Sequence, residues 1–160
     1  MALIGTFTSG SVLTAAELNQ FNNVCALWNS GTTSIANATE TNITFGAGTE
    51  IVDVSNWHST STNTERITPN VAGIYLVGAG LTLDYAGMTT AQRLYGRIYK
   101  NTTGEAEQSV FCADYAGVHM TEIISLNGST DYVKLMTFQN TGATRNVKQT
   151  YLYAILLRTL

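Results

Sequence analysis

The chain has 160 residues, 44% of them hydrophobic and only 12% charged, with a formal net charge of −3. One domain of that length can bury a sizeable core. Its three lysines leave no basic stripe of the kind that displaces counterions from nucleic acid. No run of about 18 apolar residues occurs, so no segment reads as a membrane-spanning helix. Thr, Asn, Ser and Gly take the place that Lys and Glu usually hold, and Thr favours strands. The opening "MALIGTF" has neither a basic leader nor an apolar core of signal-peptide length. The expectation is a protein made in a cytoplasm and soluble there; if it works outside a cell, it leaves by a route other than secretion.

The first element reads as a helix over about 15–29. Thr14 to Glu17 fits a capping box, Leu13 and Leu18 stand at hydrophobic-staple positions, and Gly31 supplies a stop. Leu18, Phe21, Cys25 and Trp28 are spaced three, four, three, which is a narrow apolar seam over two heptads. That stripe could lie on the protein's own sheet or against copies of itself. Two heptads are too short to hold a coiled coil alone. The chain divides accordingly into an attachment or oligomerisation segment, 1–31, and a head, 32–160.

From Thr32 onward only short strand-like runs separated by turn residues occur. Ile51, Val52 and Val54 begin an alternating stretch. Gly73 opens the longest apolar run, through Tyr85. Within it Tyr75, Val77, Ala79, Leu81 and Leu83 share one face by period two. "QRLYGRIYKNTTG" alternates Leu94 and Ile98 against Tyr95, Arg97 and Tyr99. Asn127-Gly128 and Thr141-Gly142 are turn signals. Eight to ten strands at this spacing imply an antiparallel sandwich or barrel. The last run, "YAILLRTL", is apolar on both faces, so it must be a central strand or lie at a subunit contact.

Nothing in the sequence carries chemistry. His58 and His119 have no metal-ligand spacing, no Ser lies in a nucleophile elbow, and neither Cys25 nor Cys112 has basic neighbours. Both cysteines read as small hydrophobes rather than a disulfide pair. The expectation is a protein without catalytic residues, cofactor or metal. The sequons at Asn37, Asn42, Asn101 and Asn127 read as silent in a chain without a secretory leader.

Four motifs in order carry a resemblance. They are Pro69 followed by Gly73-Ile74-Tyr75, then Ile98-Tyr99-Lys100-Asn101, then Ile124-Ser125-Leu126 with Asp131-Tyr132-Val133, and a final strand ending in Leu156-Leu157. This order resembles the globular head shared by complement component-1q-like proteins and tumour-necrosis-factor-like ligands, over roughly residues 40–160. The collagen-like stem of the complement proteins is absent, and Thr130 stands where the family has Gly. The resemblance implies an all-β, ten-stranded antiparallel jelly roll that assembles as a homotrimer. Tyr75, Tyr99, Tyr151 and Tyr153 are then candidates for contacts at the threefold axis, with Leu18, Phe21 and Trp28 from the helix.

The opening resembles something else. Phe7, Gly10, Val12, Leu13, Thr14, Ala15, Ala16, Glu17, Leu18 and Asn19 match the start of many bacteriophage tail and fibre proteins. That implies a non-enzymatic virion surface protein, made in the host cytoplasm and held to another virion protein through its N-terminal segment. Host glycan or protein would be recognised by residues 55–64 and 84–92, with Trp57, His58, Asn63, Tyr85 and Gln92 as candidates. The competing expectation is a capsid decoration or head-fibre protein that stabilises the shell.

Overall fold

The computed structural model describes residues 23–84, 89, 91–111 and 116–160 of the chain. Eleven strands occur among them. They are β1 (Val24–Asn29), β2 (Thr33–Ile35), β3 (Thr41–Asn42), β4 (Glu50–Asp53), β5 (Arg66–Ile67), β6 (Ala72–Leu83), β7 (Arg93–Lys100), β8 (Thr103–Phe111), β9 (Gly117–Asn127), β10 (Val133–Gln139) and β11 (Arg145–Thr159). They form an antiparallel sandwich. One sheet has the order β4-β1-β11-β6-β9, with β2 paired to the start of β11. The other has the order β3-β10-β7-β8, with β5 paired to β10.

Period-two alternation decides which side chains fill the space between the sheets. On β6, Tyr75, Val77, Ala79, Leu81 and Leu83 are all fully buried, as their shared face predicts. They meet Leu94 and Ile98 of β7 and Val133 and Leu135 of β10 in one core cluster, closed by Ile43, Phe45 and Trp57. Tyr75 carries its hydroxyl into that core. It donates to the Val71 carbonyl at 2.5 Å, and burial pushes its phenol up to about 12. Its ring meets Trp57 edge-on, with centroids 5.5 Å apart.

The apolar C-terminal run is a central strand. β11 pairs with β1 on one side and β6 on the other, and two bulges bend it, between Lys148 and Tyr151 and between Leu156 and Arg158. Leu152, Ala154 and Leu156 point inward, while Tyr151, Tyr153, Ile155 and Leu157 face away from the core.

The helix expected over 15–29 is corrected where the structure describes it. Val24–Asn29 is a strand between β4 and β11, and residues 15–22 lie outside the described residues. Cys25 and Leu27 alternate into the core, and Val24, Ala26 and Trp28 face outward. A short apolar run satisfies a helical seam and a strand equally well, and here the ladder with β11 decides. Residues 24–29 therefore belong to the sandwich rather than to a segment preceding it. Burial, and then the Asp53 carboxylate beside it, push the Cys25 thiol up. A thiol held protonated in a core is a packing group, and Cys25 forms no disulfide.

Candidate binding surfaces

The outward face of the six-stranded sheet carries an aromatic panel. Register places Trp28 of β1 opposite Tyr151 of β11, Tyr151 opposite Gly80 of β6, and Gly80 opposite His119 of β9. One row further along stand Ala26, Tyr153, Gly78 and Thr121. The rings stack in a flat array. Trp28 lies 6.4 Å from Tyr151 with planes 11° apart, Tyr153 lies 6.2 Å from Tyr151, and His119 lies 5.8 Å from Tyr151. His119 Nδ1 is 3.2 Å from the Tyr151 hydroxyl. Burial, and then neighbouring Tyr153, raise the Tyr151 phenol. Gly78 and Gly80 make the flatness possible. A β-carbon on Gly78 would meet the Tyr153 ring, and one on Gly80 would meet Tyr151 and His119.

Aliphatic side chains extend the panel. Ile155 of β11 pairs with Leu76 of β6, which pairs with Ile123 of β9. Ile123 is 61% exposed, Leu157 44%, Trp28 40% and Ile155 36%. Monomeric proteins rarely leave so continuous an apolar face in water.

A second feature is a cleft of about 280 Å³ lined by Asn56, Trp57, His58, Ser59, Thr62, Asn63, Arg66 and Thr68. Its floor is rigid. Asp53 accepts the Trp57 and His58 backbone N–H groups at 2.8 and 2.9 Å. The Trp57 indole donates to Asn70 at 2.9 Å, and His58 Nδ1 lies 2.8 Å from Glu50. Its rim is polar. Ser59 and Thr62 hydroxyls lie 3.1 Å apart, and Asn56 and Asn63 both adopt positive φ. The side chain of Arg66 lies over the Tyr132 ring, 4.4 Å from its centroid.

The candidates read from sequence separate on these surfaces. Tyr151, Tyr153 and Trp28 come together on the panel. Tyr75 does not, since it lies wholly inside the subunit and offers a second copy nothing to touch. Tyr99 sits on the other sheet, where Arg97 donates to its hydroxyl at 2.9 Å and Lys134 lies over its ring. Arg97 also pairs with Glu107, and that contact raises the guanidinium further. Trp57 and His58 are buried, so they shape the cleft from beneath rather than reach outward, while Asn63 is exposed on its rim. Gln92 is tied down, accepting from Thr89 N–H and donating to the Thr141 carbonyl. Leu18, Phe21 and Tyr85 lie outside the described residues.

Sequence reasoning missed Ile123, His119 and Arg66. The signal for Ile123 was present: Ile123 and Ile124 are adjacent on a strand, so one must face outward. Among the described residues no cluster of three metal-ligating side chains occurs, and no helix is long and apolar enough to cross a membrane.

No family model and no curated protein matches the sequence. Solved structures are similar in fold. The globular domain of the zebrafish complement 1qA protein matches with a TM-score of 0.64 at 13% identity, over 86% of this chain and 99% of that one. The Eiger tumour necrosis factor of S. frugiperda matches with a TM-score of 0.59 at 11% identity, over 86% and 93%. The vertex protein P5 of phage PRD1 matches with a TM-score of 0.59 at 16% identity, over 84% and 73%. The fold is thus the jelly-roll sandwich expected from the motif order.

Proposed function

We propose that this chain forms the homotrimeric head of a phage virion surface protein that works by binding, without turnover. The observation that carries the reading is the apolar outward face of the six-stranded sheet. It has two unlike parts, the aromatic panel over β1 and β11 and the Ile123 region on the edge strand β9. Two unlike patches favour a head-to-tail contact over a twofold one, and such a contact makes a ring where its rotation closes and a filament where it does not. Closure at three copies is what the complement and tumour-necrosis-factor resemblance implies. It would also cover part of β9, the edge strand of that sheet.

In this reading the N-terminal segment attaches the head to another virion protein, and the cleft near residues 55–64 contacts a glycan on the host. Its hydroxyls, amides and aromatic floor suit a sugar. Adsorption tests it: purified protein should compete with intact phage for host cells. A second reading is a capsid surface role, and the similarity to a phage vertex protein favours it. Copy number separates the two, because hundreds of copies per particle fit a shell component and a few dozen or fewer fit a tail or fibre.

A further inference from the structure

We propose that the cleft takes a sugar bearing a carboxylate, with Arg66 as the group that selects the charge. The inference rests on the glycan-binding reading above and specifies its ligand.

Four observations converge. First, Arg66 is half-buried, yet its guanidinium has no ion pair and no side-chain hydrogen bond among the described residues. The two carboxylates bonded to the floor are engaged with it: Glu50 faces His58, and Asp53 accepts two backbone N–H groups. An arginine set in a cleft with its fork of donors unused suits a planar carboxylate, which it can hold by two parallel hydrogen bonds.

Second, Arg66 is held in place. Its backbone pairs with Lys134 of β10 and donates to the Asn63 carbonyl, and Tyr132 supports one face of the guanidinium. The charge is therefore positioned before a ligand arrives, which lowers the ordering cost of binding.

Third, the remaining lining suits sugar hydroxyls. Asn56 and Asn63 make no side-chain hydrogen bonds among the described residues, and Ser59 and Thr62 add hydroxyls on the same rim. Fourth, the volume of about 280 Å³ falls just below the roughly 300–1,000 Å³ typical of small-molecule sites, which fits one ring rather than a chain. None of the lining residues belongs to the outward face of the six-stranded sheet, so assembly through that face leaves them free to bind.

The test is binding of glucuronate and glucuronamide to the full-length protein, measured by calorimetry or ligand-observed NMR. The amide keeps the ring and removes the charge. Glucuronate is expected to bind at least about tenfold more tightly than the amide, since charge-assisted hydrogen bonds are roughly twice as strong as neutral ones. Arg66→Met should abolish the difference, and Arg66→Lys should restore only part of it. The ligand comparison on the unaltered protein needs no variant to fold. Equal binding of acid and amide would overturn the inference and leave the glycan reading intact. Acetate competing as well as glucuronate would overturn the sugar assignment. Failure of both sugars to bind at millimolar concentration would overturn the inference, and the adsorption competition then decides the glycan reading separately.

Discussion

The Tyr153 ring lies directly over Gly78: a β-carbon built on that glycine would collide with the ring's Cζ. The aromatic panel therefore depends on the absence of one side chain on the neighbouring strand. Gly78→Ala should push the ring off the sheet rather than break the sheet, because the colliding atoms are the far end of a side chain. The expected cost to the subunit is about 1–3 kcal/mol, as for other overpacking substitutions. The larger effect falls on assembly, and sedimentation should show dissociation at concentrations where the parent protein stays associated.

Ile123→Lys tests the same face from its other side. The residue is 61% exposed in the single subunit, so the substitution should change subunit stability by no more than about 0.5 kcal/mol. In a ring of three it would place an unpaired charge in every contact. Unchanged melting of the isolated subunit together with loss of association is the expected pair of results. Calorimetry and light scattering check them.

Much of this was legible in the sequence. Alternation placed Tyr75, Val77, Ala79, Leu81 and Leu83 on one face, and all are fully buried. The apolar C-terminal run was expected to be central or at a contact, and β11 is central with Ile155 and Leu157 left outward. The strand β1 was not legible. Its inward Cys25 and Leu27 are set by pairing with a strand more than a hundred residues away, and a local apolar period cannot report that. The burial of Trp57 and His58 was equally hidden, because Asp53 and Asn70 fold a polar-looking loop back over the core.

Trp57 should behave as a structural residue. Trp57→Phe removes the hydrogen bond to Asn70 and leaves part of the site empty, at an expected cost of about 1–3 kcal/mol. Asn70→Ala breaks the same bond. The double variant should lose less than the sum of the two, and a denaturation cycle measures the difference.

Asp131 gives the fold an acid-sensitive turn. Burial works against its charged form. Hydrogen bonds from Asn101 and Lys100 and from the Asn127 backbone outweigh that and hold its carboxyl below the ordinary range. A lowered folded value means the contribution is fully present above the unfolded carboxylate range. It is lost as pH falls through the folded value. Asp131→Ala should cost about 1.5–3 kcal/mol at neutral pH. The gap between variant and parent should narrow as pH drops below about 4, and urea melts across pH 2–7 follow it.

Cys25 should resist thiol reagents in the native protein. In a Cys112→Ser background, labelling should be slow under native conditions and fast in denaturant, because the thiol is buried and its ionisation suppressed.

The association state is the most direct measurement. Light scattering of the purified chain at micromolar concentration should give three times the 17.2 kDa subunit mass. A stable particle of single-subunit mass, with the Trp28, Tyr151 and Ile123 face open to solvent, would contradict the account.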